Sequence, residues 1–201
     1  MKERPILFST PMVRAILEGR KSQTRRIIKP QPESVDHINH KMIPYNGSIE
    51  FLQKNLKCPY GKSGDVLWVR ETWCLGRICE TETINPCDAE SYVDQCLDDN
   101  DIIYKEQMIS NGINIDEVLW KPSIFMPKIA SRIKLKVTNV RVERVQDITD
   151  EDALVEGMLP DQNIFITNEL RLAYKSLWES INGKGSWENN PWVWVIEFEK
   201  L

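Results

Sequence analysis

Residues 192–198 read WVWVIEF. Trp192, Trp194, Ile196 and Phe198 alternate with Val193, Val195 and Glu197, so both faces of the strand they form are apolar and need cover. The rest of the chain offers partners for such a strand. Ile133, Leu135 and Val137 alternate with Arg132, Lys134 and Lys136, and Val140, Val142 and Val145 follow, which reads as a pair of strands with a bend near Asn139. GDVLWVRETW supplies a further strand over residues 66–73, and shorter strand candidates lie at 48–52 and 102–106. Three helices stand between them. Pro11 suits a first helical position and Gly19 a left-handed stop, giving a helix over 11–18 with Thr10 as its cap. Thr149 with Asp152 three residues on forms a capping pattern for a short helix ending at Gly157. Asn168 caps a longer helix to Ile181, with Leu170, Ala173, Tyr174, Leu177 and Trp178 on its apolar face. Strands and helices do not alternate regularly, so the pattern predicts α+β, with a small curved sheet or barrel.

At 201 residues the chain suits one domain with large insertions, and 41% hydrophobic residues suffice for a packed core. Residues 29–63 are rich in Pro, Asn, Ser and Gly and read as an excursion; residues 76–120 are acidic, with little apolar patterning, and read as an insertion. The YGKSG run lacks the spacing of a phosphate loop. Net charge is −4, against generic polyanion binding, but it is unevenly spread. Residues 1–41 carry nine Lys/Arg against four Asp/Glu, whereas residues 78–118 carry Lys105 alone against eleven Asp/Glu. The acidic stretch reads either as a solvated loop or as a surface for a separate contact.

Five cysteines (Cys58, Cys74, Cys79, Cys87 and Cys96) contain no C-x-x-C pair, which points to reduced thiols rather than a disulfide framework or zinc ribbon. His37 and His40 form H-x-x-H in a polar loop. No metal or cofactor is expected. No run approaches the roughly 18 apolar residues of a membrane span, and the start has no signal-like region, so a cytoplasmic protein with no membrane partner is expected.

The first helix exits into GRKSQTRRI, where Arg20, Lys21, Thr24, Arg25 and Arg26 are concentrated. Cations there suit the negative end of a helix dipole. This stretch, with GDVLWVRETW, VTNVRVERVQDITDEDALVEGM and WVWVIEFEKL, resembles the ASCH-domain proteins of the PUA-like superfamily, and more narrowly a type encoded by bacteriophages and prophages. The resemblance runs nearly end to end. It implies a single domain over residues 1–201: a small PUA-like mixed β-barrel with helices packed at its rim, insertions at about 29–60 and 76–125, and a cleft that meets a nucleoside or single-stranded RNA or DNA. One enzymatic branch, the N4-acetylcytidine amidohydrolases, carries a similar G-x-K-x-x-T-x-R pattern, matched here by Gly19, Lys21, Thr24 and Arg26. That branch's catalytic glutamate lies in a stretch similar to DALVEGM, so the match implies a Lys21–Thr24–Glu156 constellation. This chain is roughly twice as long as that branch.

The chemistry is coherent. A threonine hydroxyl needs a base to become a nucleophile; a lysine serves if burial or neighbouring arginines lower its pKa. A tight turn would bring Lys21 and Thr24 together, Glu156 would protonate the leaving nitrogen, and Arg26 would stabilise an oxyanion or hold a phosphate. A binding module is the alternative, with Lys21, Arg25 and Arg26 gripping phosphates and Glu156 an ion-pair partner. Arg70 and Glu71 project to opposite faces of their strand; either one of them contacts a base or sugar, or the carboxylate forms a buried ion pair with Arg25 or Arg26. Trp68 and Trp73 read either as stacking platforms for a base or as core; Trp178, Trp192 and Trp194 read as core.

Overall fold

The computed structural model describes residues 1–34, 43–45, 48–78, 84–86, 102–112, 115, 118–159 and 169–201. In chain order its elements are β1 (Glu3–Leu7), α1 (Thr10–Leu17), β2 (Gln23–Ile27), β3 (Pro32–Ser34), β4 (Ile43–Tyr45), α2 (Ile49–Asn55), β5 (Val66–Arg70), β6 (Trp73–Ile78), β7 (Ile84–Pro86), β8 (Ile102–Tyr104), α3 (Lys105–Ser110), β9 (Lys134–Arg144), α4 (Asp150–Val155), α5 (Glu169–Asn182) and β10 (Trp192–Lys200).

The doubly apolar C-terminal strand lies inside the main sheet. β10 pairs antiparallel with β9 on one side and β2 on the other, in the order β1-β5-β9-β10-β2. Within this sheet only the β1–β5 pair is parallel. Trp192, Trp194, Ile196 and Phe198 face a core shared with Val13 and Ile16 of α1 and Leu52 of α2. Val193 and Val195 face a second core with Ala153 of α4 and Tyr174 and Trp178 of α5. Helices therefore cover both faces, as the alternation of the strand demands.

The mixed α+β class and sheet-centred core agree with expectation, but among the described residues no ladder closes the sheet into a barrel. β1 and β2 are the sheet's two edges. They are connected through a side chain instead: Arg26 of β2 donates to the carbonyl of Leu7 at 2.5 Å and lies 5.2 Å over the ring of Phe8.

Several local expectations change for identifiable reasons. The two strands read over residues 133–145 are one strand, β9. Its apolar phase slips from odd positions (Leu135, Val137) to even ones (Val140, Val142), and a β-bulge absorbs the slip: Glu197 pairs with Asn139 and Phe198 with Val137, leaving Thr138 as the extra residue. Asn139 accepts the Val140 N–H at 2.9 Å rather than turning the chain. Residues 66–73 divide at Glu71 into β5 and β6. The strand expected at 48–52 is helix α2, because Ser48 accepts the Phe51 N–H at 3.1 Å as a cap. β8 stops at Tyr104 and α3 follows at once. Ser9, not Thr10, holds the cap position of α1. Beyond Gly19 (φ +76°) the chain makes no tight turn but enters β2 directly.

β6 pairs with β7 and β8 in a separate three-stranded sheet, and β3 with β4 in a two-stranded one. Trp73, Leu75, Met126 and Ala130 form a small core there, beside another built from Cys74, Ile103 and Met108. His37, His40, Cys79, Cys87, Cys96 and Asn168 lie outside the described residues. Among the described residues no helix is long and apolar enough to cross a membrane.

Gly157 lets the end of α4 approach α1. It has φ +94°, and an added Cβ would meet the Ala15 Cβ at 2.9 Å and the Lys21 Cβ at 3.3 Å. Gly157→Ala is therefore expected to cost about 1–3 kcal/mol from backbone strain and overpacking. Chemical denaturation checks this; a loss below about 0.5 kcal/mol, the level of a neutral surface change, contradicts it.

Candidate active site

β2 is an edge strand, so residues from both of its faces meet at its open side. Thr24 and Arg26 lie on the face of Trp194 and Ile196, opposite which they pair; Gln23 and Arg25 alternate onto the α4 side. Along this edge Lys21 forms an antiparallel bridge with Glu156, and Ser22 N–H donates to the carbonyl of Val155 at 2.9 Å. The capping box of Thr149 and Asp152 starts α4, and the helix ends at Val155, delivering Glu156 to the strand edge.

Lys21 and Glu156 thus meet across 135 residues of sequence. Lys21 Nζ donates to Glu156 Oε2 at 2.6 Å and to the Glu156 carbonyl at 2.8 Å, and the two side chains are 1% and 3% exposed. Burial lowers the pKa of Lys21 from its ordinary value, outweighing the attraction of Glu156; the charges of Arg26 and Arg25 lower it further. The other carboxylate oxygen of Glu156 accepts from Arg25 at 3.4 Å.

Arg25 is the hub of the α4 side. Its fully buried side chain also pairs with Glu143 at 3.1 Å and Asp152 at 3.0 Å. Arg141 continues the network to Glu143, Asp152 and Glu197. Burial alone would raise the Asp152 carboxyl; the Gln23 hydrogen bond and the charges of Arg25 and Arg141 more than offset it and hold the group low. Arg25 is therefore not a phosphate grip: three carboxylates already surround it.

Thr24 is 2% exposed and lines a cavity of about 60 Å³ together with Arg25, Arg26, Glu156, Tyr174 and Asn182, among others. The volume admits a few waters or a small acyl group; small-molecule sites span ~300–1,000 Å³. Tyr174 was legible only as an apolar-face residue of α5. Its hydroxyl is pushed well above its ordinary range by burial and then by the charge of Glu156, so it stays neutral.

The remaining candidates lie elsewhere. Arg20 donates to the Gly157 carbonyl at 3.0 Å and pairs with Glu18. Glu71 does not pair with Arg25 or Arg26. It is 1% exposed and takes a bidentate contact from Arg132 at 3.0 and 2.9 Å. Arg70 lies over the ring of Trp68 at 4.7 Å and donates to the carbonyl of Ile124. Trp68 is buried, and Trp73 belongs to the core of the smaller sheet, so it is not a stacking platform.

No family model and no curated protein matches the chain. Its structure is similar to a crystal structure of the ASCH domain from Lactobacillus crispatus JV V101, with a TM-score of 0.43 and 9% identity over 99% of this chain and 79% of that one. Similarity at that level carries no activity over to this chain.

Proposed function

We propose that the protein is a metal-independent amidohydrolase acting on an N-acylated cytidine-like base, with Thr24 as nucleophile, Lys21 as base and Glu156 as acid. The observation that carries this reading is that Glu156, which accepts from the buried Lys21 amine at 2.6 Å, lines the same cavity as Thr24. A proton passed along that contact leaves a neutral amine and a carboxylic acid, so one buried pair supplies both base and acid.

In the first half-reaction the Thr24 oxygen bonds to the acyl carbon while its proton passes to the Lys21 amine. The C–N bond breaks as Glu156 protonates the exocyclic nitrogen. Water then adds to the threonine ester and gives its proton to the Glu156 carboxylate. The ester C–O bond breaks, Lys21 returns its proton to Thr24, and the carboxylic acid departs. Arg26, at the cavity wall, is the cation available to a developing oxyanion. The small cavity suits the acyl group, and the base would lie outside it.

A binding module without turnover is favoured by one observation: both carboxylate oxygens of Glu156 are already engaged, by Lys21 and Arg25. Incubation with N4-acetylcytidine separates the two readings. Release of cytidine and acetate supports hydrolysis, with loss of on the order of 10²–10⁴-fold in Glu156→Gln. Absence of cytidine release from the wild type rejects it.

A further inference from the structure

The small cavity opens beside a much larger groove. Arg26, Ile27 and Asn182 line both it and an open site of about 490 Å³. That site in turn shares Leu56, Lys57 and Trp194 with a third of about 580 Å³. The shared residues set the three sites side by side, from the Thr24–Glu156 cavity across the 56–62 loop towards β1.

The charge of the groove is one-sided. Arg26, Lys29 and Lys57 line the nearer part, and Lys2, Arg4 and Lys62 the farther part. Among the described residues lining either part, Asp65 is the only carboxylate, and it already accepts the main-chain N–H groups of Lys2 at 2.8 Å and Lys62 at 3.2 Å. Lys29, Lys57 and Lys62 are exposed. Arg26 and Arg4 each keep a buried Nε without a hydrogen-bond partner among the described residues. Half-buried Tyr60 adds an aromatic wall. Six cations in a chain of net charge −4 therefore converge where the guest would enter.

We infer that this groove is a phosphate-binding site that seats a nucleotide whose base lies beside Arg26, outside the mouth of the Thr24–Glu156 cavity. The inference rests on the nucleobase reading above and adds a substrate class to it: the guest carries phosphate, as a mononucleotide or within a single strand. Lys29 and Lys57 neutralise the phosphate nearest the base, and Tyr60 offers a face for stacking. In a strand, the next phosphates continue towards Lys2 and Lys62.

Binding of unmodified ligands tests this independently of turnover. Cytidine, cytidine 5′-monophosphate and a six-nucleotide single strand are titrated by calorimetry at low and at physiological salt. The monophosphate is expected to bind about tenfold or more tighter than cytidine at low salt, with the advantage shrinking as salt rises. Lys29→Glu and Lys57→Glu, both at exposed positions, should each remove most of that advantage and leave thermal unfolding unchanged. A strand that binds tighter than the monophosphate, with the gain lost in Lys62→Glu, identifies an oligonucleotide; equal binding identifies a mononucleotide. Equal affinity for cytidine and its monophosphate overturns the inference, as does no binding of any phosphate-bearing probe, or full binding in both charge-reversed variants. Lysine-dependent phosphate binding without hydrolysis of N4-acetylcytidine would keep the groove and reject the amidohydrolase; hydrolysis without a phosphate advantage would do the reverse.

Discussion

Arg132→Met is expected to destabilise the protein by about 3 kcal/mol at neutral pH, the low end for breaking a buried ion pair because the arginine keeps some access to water. Arg132 holds two carboxylates that belong to different parts of the chain. It pairs with Glu71, beside the end of β5, and with Glu106 of α3 at 3.3 Å. Those side chains are 2% and 6% exposed, while that of Arg132 is 26% exposed. Glu106 also takes Arg14 of α1 at 3.4 Å, and Arg132 lies 4.1 Å from the ring centre of Tyr104. The cluster therefore locks the smaller sheet and α3 against the main sheet. Methionine fills the stem but leaves two buried carboxylates facing one another.

The loss should depend on pH in a defined direction. Burial raises the Glu71 carboxyl above its ordinary value, with Arg132 opposing and Glu106 adding to the rise. A raised carboxyl contributes stability that is fully present below its unfolded pKa and is lost as pH rises through its folded pKa. Removing Arg132 takes away what holds that folded pKa down, so the variant suffers most near neutrality and recovers as the solution is acidified. Thermal unfolding followed from mildly acidic to neutral pH checks this, with a shift of roughly 6–12 °C expected at neutral pH for a chain of this size. An unchanged midpoint, or a deficit that does not vary with pH, contradicts it.

This cluster also marks where sequence reasoning stops. Glu71 was recognisable as a charge inside an apolar strand, and a buried ion pair was one of its two readings. Its partner was not recognisable, because Arg132 is 61 residues away and nothing local distinguishes it from Arg25 or Arg26. The apolar alternation of residues 192–198 was legible as a strand covered on both faces, since pleat geometry follows directly from side-chain period. The slip of phase between Val137 and Val140 was equally visible, but a bend and a bulge leave the same mark in one dimension. Only the pairing with β10 separates them. In the site, Gly19 and Gly157 were legible as helix stops, and both have positive φ. The strand character of residues 23–27 was hidden by polar side chains, whose partners Glu143, Asp152 and Glu156 come from distant segments. Tyr174 and Asn182 sit on α5, where an apolar stripe looks the same whether it lines a cavity or a core.

The second large effect concerns Thr24. Its side chain is buried beside the cavity, on the strand face opposite to that of Arg25, and valine reproduces its shape without the hydroxyl. The fold has little reason to respond: none of the ion pairs of Lys21, Arg25 or Glu156 involves Thr24. The proposed chemistry has every reason to respond, because the hydroxyl is the atom that takes the acyl group. Removing a nucleophile that acts as a unit with its base costs on the order of 10³-fold or more in turnover. The most direct test is therefore the rate of cytidine release from N4-acetylcytidine by wild type and Thr24→Val, measured beside thermal unfolding of both. The expected result is a wild-type rate that falls at least 10³-fold in the variant with the unfolding midpoint unchanged. Turnover by Thr24→Val at the wild-type rate would contradict the account.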